Sequence, residues 1–277
     1  MSETKAVYTA RPRLPSPPPP PAAPARASVR FTSPTSSAGH RVVLYGPGGI
    51  GKTTLAAQGP GKVVFFDLDE SLGRLRNLPK LDTVACASWA ELRAALQAEG
   101  WDGVNTIVID SITKAEEMAV AHTLATVRHE KGQMCASIED YGFGKGFGHV
   151  FDTFLPLLGD LDRHARSGRN IILIAHDCTC NVPNPAGEDW LRYEPRLQSP
   201  NSGKASIRLR VREWADHVLF IGYDVAVDKD GKGRGAGTRT LYPAELPHCM
   251  AKSRTTQEVM PIGTDGAEVW ARIIGAE

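Results

Sequence analysis

Lys52 and Thr53 close a run of small residues, Gly46-Pro47-Gly48-Gly49-Ile50-Gly51, and are followed by Thr54. This is the G-x-x-x-x-G-K-[ST] spacing of a phosphate-binding loop. It lies between an apolar strand-like run, Val42 to Tyr45, and a helix-like one, which is the context that such a loop requires. The glycines let the backbone curl so that successive N–H groups face an anion, and the following helix turns its positive end to the same place. Lys52 then reaches the β- and γ-phosphates of a nucleoside triphosphate, and Thr53 offers a hydroxyl to Mg²⁺. ATP and Mg²⁺ are the expected cofactors.

Three further residue groups could complete that chemistry. Asn105 to Asp110 is an apolar strand ending in an acid, placed to hold the Mg²⁺ shell together with Thr53. The stretch Phe65-Phe66-Asp67-Leu68-Asp69-Glu70-Ser71 supplies acids at another strand end, where ligands of open α/β sheets bind. Asp69 is the first candidate to activate a water and Glu70 the second; the other reading of these acids is a cap on a helix starting near Ser71. Strand Ile171 to Ala175 ends in His176, positioned to hydrogen-bond a γ-phosphate and report its loss.

The elements that must carry these residues alternate strand and helix from residue 40, as in a mainly parallel sheet covered by helices. Strands are predicted at 41–45, 63–67, 105–110 and 170–175, the runs VVFFD and TIVID being apolar throughout, as in strands buried on both faces. Helices are predicted after the phosphate loop, over about 89–98 with Ser88 and Glu91 as a capping box, from near Thr113 with Glu116 in the matching position, and over about 147–167. Beyond 210 the pattern predicts a hairpin, 217–228 with 237–242, closed around Asp230-Gly231. Short strands follow near 249–252 and 268–274.

Composition bounds the rest. The 277 residues are 42% hydrophobic and 23% charged, enough for a sizeable core, and the formal net charge of +1 excludes a globally basic nucleic-acid binder. Residues 1–38 are rich in proline and basic, with Lys5, Arg11, Arg13, Arg26 and Arg30 and no acid between Glu3 and Asp67; they are expected to form a disordered tail preceding one domain over 39–277. Without a signal-like start or a membrane-length apolar run, the expected location is the cytoplasm. Five cysteines suit reduced thiols, and the isolated Cys178-x-Cys180 has no second pair at zinc-site spacing.

Taken in order, GPGGIGKTT, FFDLDES, VIDSIT, YGFGKGF, IILIAH and AKSR resemble the phage-type ATPases built on a RecA-like core, including phage single-strand-annealing recombination ATPases. The resemblance covers about residues 40–275. It implies an α/β RecA-like P-loop fold with a C-terminal β-hairpin, and ATP hydrolysis that supports annealing or strand exchange on single-stranded DNA. It also implies a ring or filament of identical subunits with nucleotide between them, and a single-strand-binding protein as a further partner. The water-activating acid of that core maps to Asp69, where the usual residue is Glu, and its strand-end sensor, usually Gln in recombinases, is His176. Two segments look like its DNA-facing loops. One is 139–148, with Tyr141, Phe143, Lys145 and Phe147; the other is the long loop 177–206, with Trp190, Arg192, Tyr193, Arg196 and Lys204. Lys252 and Arg254 match the paired cations that reach a neighbour's nucleotide. A P-loop kinase of a nucleotide or small molecule, and a nucleotide-gated interaction module, remain as alternative readings.

Overall fold

The computed structural model describes residues 29, 31, 38–76, 78–184, 186–201, 204–227 and 233–275, without the side chains of 226, 227, 233 and 234. Apart from Val29 and Phe31, which are exposed, the expectations for the tail before Ala38 and for the Asp230-Gly231 turn lie outside the described residues.

Five strands run parallel at the centre of an eight-stranded sheet: β1 (Arg41–Tyr45), β2 (Val63–Asp67), β4 (Thr106–Asp110), β5 (Asn170–Ala175) and the first part of β8 (His217–Val227). The short β3 (Asp82–Thr83) adds parallel to β2, whereas β9 (Gly233–Tyr242) and β10 (Met260–Pro261) add antiparallel beyond β8. The order is β10-β9-β8-β1-β5-β4-β2-β3, so β5 lies between the strand leading into the glycine loop and the strand ending in Asp110. This is an α/β arrangement, a mainly parallel sheet covered by helices, with the antiparallel pair at its C-terminal side. A separate two-stranded ribbon joins β6 (Asp177–Val182) to β7 (Trp190–Pro195).

Alternation along the strands loads both faces of the sheet. Val43, Tyr45, Phe66, Ile107 and Ile109 face a core completed by α2 (Trp89–Gln97), α3 (Ile112–Thr126), α4 (Lys145–Arg166) and α5 (Ile207–Trp214). Val42, Leu44, Phe65, Val108 and Ile172 face the other core, with α1 (Lys52–Ala57) and α6 (Gly266–Ile274). Burial on both faces explains the continuous apolar runs.

Several boundaries differ from expectation. Residues 268–274 are helix α6, not strand: Asp265 accepts the N–H of Ala267, and Val269, Trp270 and Ile273 recur at helical spacing. Residues 249–252 form only isolated bridges, Lys252 pairing with Val218 and Cys249 with Leu246. Helix α3 is capped by Ser111, which accepts from the N–H of Lys114, so Thr113 and Glu116 are freed from the expected capping box. Segment 177–206 is not one long loop, because 12 of its residues pair as the β6–β7 ribbon. Helix α4 begins at Lys145, two residues before its expected start, and the short α5, capped by Ser206, had no clear sequence signal.

Candidate active site

Parallel registration gathers the candidate residues at one edge of the sheet. Tyr45 pairs with Ala175, Ile174 with Asp110, and Asp110 with Asp67, so the residues that follow each strand emerge side by side. There they border a cavity of about 450 Å³ lined by Gly48, Gly49, Lys52, Thr53, Asp69, Asp110 and His176, among others. Glycine is required at two points of the loop. Gly51 has φ 99°, and a Cβ there would stand 1.9 Å from the Arg239 guanidinium; at Gly46, φ 150°, it would stand 2.2 Å from the Ile221 carbonyl. Pro47, Ile50 and Thr54 complete the loop and the first turn of α1, with Ile50 buried beneath it.

Lys52 is buried and donates to the carbonyls of Gly46, at 2.7 Å, and Pro47, at 2.9 Å. Burial lowers its pKa, while Asp177, Asp110 and Asp69 oppose that shift. Thr53 Oγ1 donates to Asp110 Oδ2 at 2.7 Å. Burial pushes the Asp110 carboxyl up to about 6, with Asp69 and Asp67 adding to the shift and Thr53 opposing it. A buried carboxylate beside a hydroxyl at a phosphate loop is a hard-oxygen donor set that fits Mg²⁺. Among the described residues no group of three or more His, Cys, Asp or Glu side chains is placed to hold a metal by itself.

The acid cluster divides its labour. Asp67 accepts the N–H groups of Ser71, at 2.9 Å, and Leu72, at 3.1 Å, capping the turn that follows. Asp69 faces the cavity, with Oδ2 3.3 Å from His176 Nε2. The His176 hydrogen bond holds the Asp69 carboxyl below its ordinary value; burial opposes this and a hydrogen bond from Ser111 adds to it. Glu70 is exposed, has φ 50° and does not line the cavity. Sequence reasoning missed Arg239 on β9, whose Nη1 donates to the Ile50 carbonyl at 2.5 Å. It lies 189 positions from Ile50, so only the fold reveals it.

Residues 38–255 match the AAA domain family. The chain belongs to this family. This AAA domain is a P-loop ATPase, a class that binds nucleotide and usually Mg²⁺. Among solved structures it is similar to the KaiC-like protein PH0186 from Pyrococcus horikoshii OT3, at 18% identity and a TM-score of 0.45 over 83% of this chain and 88% of that one. No curated protein sequence matches it.

The remaining candidates are more dispersed. Tyr141 is 4% exposed, and its hydroxyl donates to the Val127 carbonyl at 2.7 Å; this corrects its assignment as a stacking residue. The Arg192 guanidinium, a candidate for DNA contact, is held by Glu194 at 2.5 Å and Glu245 at 2.6 Å. Burial pushes the Glu194 carboxyl up, but Arg192 and Arg208 outweigh it and hold the group low. Phe143 is fully exposed, Trp190 is partly so at the end of the ribbon, and Lys145 makes an exposed ion pair with Glu130. Arg196 is exposed, with its backbone bonded to His176. Lys252 and Arg254 stand at the start of β8, the edge opposite this chain's own phosphate loop, where Arg254 pairs with Asp216 at 3.0 Å. Cys178 and Cys180 lie 3.9 Å apart beside the Arg208 guanidinium. Among the described residues no helix is long and apolar enough to cross a membrane.

Proposed function

We propose that this AAA domain hydrolyses Mg²⁺-ATP at the interfaces of a homo-oligomer and couples the cycle to single-stranded DNA, in annealing or strand exchange during phage recombination or replication. The observation that carries the hydrolytic reading is the Asp69–His176 pair on the cavity that also holds Lys52, Thr53 and Asp110. Water attacks the γ-phosphorus as the bond to the ADP oxygen breaks, and the low-pKa Asp69 orients that water as an acceptor more than it takes its proton early. Such a weak base suffices where the phosphoryl transition state is loose. Lys52 exchanges its two loop carbonyls for phosphate oxygens. Thr53 and Asp110 would hold Mg²⁺, which when bound would supply positive charge against the phosphates.

His176 connects hydrolysis to the outer segments. Its N–H donates to Thr113 Oγ1 at 3.1 Å, and its carbonyl accepts from Arg196 N–H at 2.8 Å, at the foot of the ribbon. Support for DNA comes from the exposed faces of Phe143 and Trp190 with Lys145 nearby in sequence. The test is ATP turnover with and without an oligothymidylate: stimulation of several-fold is expected, lost in Trp190→Ala. Turnover indifferent to the oligonucleotide refutes the DNA assignment, and turnover only with a small acceptor identifies a kinase.

A further inference from the structure

Behind the nucleotide cavity, helix α3 leaves one face uncovered. Thr113, Glu116, Val120 and Leu124 follow at spacings of three and four and so form one stripe. That stripe floors a groove of about 680 Å³, larger than the nucleotide cavity, between a wall containing Ile138 and Phe147 and a wall formed by Arg196 to Pro200. Its volume is that of a ligand pocket.

The groove is chemically graded. Glu116 and Glu117 mark the end near the nucleotide site, Val120 and Leu124 the other, with Glu139 on the rim. Glu117 is paired with Lys114 at 2.9 Å on the exposed side of α3, yet three carboxylates against the guanidinium of Arg196 and that one ammonium still disfavour a phosphodiester backbone and favour a cation. Burial pushes the Glu116 carboxyl up to about 7; the hydrogen bond from Gln198, Arg208 and Arg196 oppose this, and Glu117 reinforces it. A cation arriving there gains a carboxylate that burial now penalises.

The walls are wired to the ATPase site. Thr113 Oγ1 accepts from His176 N–H and donates to the Arg196 carbonyl at 3.3 Å. Glu116 accepts the N–H of Gln198 at 2.7 Å, and the Gln198 amide donates to the Phe147 carbonyl at 2.9 Å. Both walls are therefore bonded to one another, and one of them to the residue after β5.

We propose that this groove receives a cationic, apolar peptide segment of a partner protein, with its Lys or Arg at Glu116 and Glu117 and its aliphatic side chains over Val120 and Leu124, and that occupancy changes ATP turnover through Thr113 and His176. The coupling half rests on the ATPase reading; the binding half stands without it.

The probe is a fluorescein-labelled alanine-based helix carrying Lys at one end of a face and Leu at the other, with a twin in which Glu replaces Lys. Anisotropy with the full chain is expected to show saturable binding of the Lys peptide. Binding should weaken at least about tenfold for the twin, and likewise for the Glu116→Gln/Glu117→Gln variant, whose circular dichroism and thermal melt matching the wild type show that it folds. In the wild type the Lys peptide should change turnover several-fold. Absent saturation, equal binding of the twin, equal binding by the double variant, or displacement by an oligothymidylate overturns the docking assignment. Saturable binding with unmoved turnover overturns the coupling. A wild type that binds peptide yet never hydrolyses ATP fails the ATPase reading instead.

Discussion

At the scale of single residues, the site depends on which acid faces the cavity. Asp69 does so and is tied to His176, whereas Asp67 is used as a cap and Glu70 points to solvent. Asp69→Asn is therefore expected to keep ATP affinity and lower turnover on the order of 10²-fold, with Glu70→Gln near wild type. Single-turnover hydrolysis beside equilibrium nucleotide binding separates the two effects, and a reversed pattern would move the role to Glu70. Arg239 acts from outside the motif. Its charged hydrogen bond to the Ile50 carbonyl holds the loop apex, and Arg239→Ala should weaken nucleotide binding by about 1.5–3 kcal/mol, measured by titration with a fluorescent ATP analogue. Unchanged affinity would reduce Arg239 to a passive neighbour of Gly51.

At the scale of elements, the phosphate-loop helix is supported by the C-terminal one. Helix α1 has only six residues and a glycine cap without a side-chain hydrogen bond, so its order comes from packing. Trp270 of α6 is 1% exposed, and its indole N–H donates to the Leu55 carbonyl at 2.8 Å. Gly266 and Gln58 hydrogen-bond at the same contact. Trp270→Ala is expected to cost about 3–5 kcal/mol of stability and to weaken nucleotide binding with it, whereas a distant core truncation of similar cost should spare binding. Urea denaturation paired with nucleotide titration decides between them.

At the scale of the molecule, two edges of one sheet have different tasks. The carboxyl edge holds the cavity; the opposite edge carries Lys252 and Arg254, so any nucleotide these touch belongs to a second copy. Mixing Lys252→Ala/Arg254→Ala protein with Lys52→Ala protein is expected to restore turnover that neither shows alone, since a mixed interface joins an intact loop to intact cations. Normal hydrolysis by the double variant alone would exclude a trans role. The same edge holds a buried relay in which His217 hydrogen-bonds His40 and Ser253, each at 2.9 Å. Burial lowers His217 to about 4; His40, Arg254 and Lys252 reinforce this and Asp216 opposes it. Unfolded His protonates near pH 6.5, so this residue's contribution is intact above that pH and lost as pH falls from about 6.5 to about 4, on the order of 3 kcal/mol. The raised carboxyls of Asp110 and Glu116 act in the opposite sense, so the test is a difference. His217→Gln should lose less stability than wild type across that window in thermal melts, and equal slopes would refute the assignment.

The phosphate loop, the acid ending β4 and the polar residue after β5 were legible in the sequence, because each is a local pattern whose spacing is its function. Their convergence was also legible, since parallel strands that share an edge must deliver their carboxyl ends together. Helix α6 was misread because its short apolar run fits either periodicity until Asp265 and the packing of Trp270 on α1 decide between them. Whether Tyr141 and Arg192 were available to a ligand was not a sequence property. An aromatic or a guanidinium has the same chemistry whether it meets solvent or is taken up by Val127 or Glu194, and partners brought in from elsewhere in the chain make that choice. Arg239, Thr113 and Glu116 belong to the same class. They carry no motif, and only the tertiary structure, by joining β9 to the phosphate loop and α3 to the segment after the ribbon, determined what they touch.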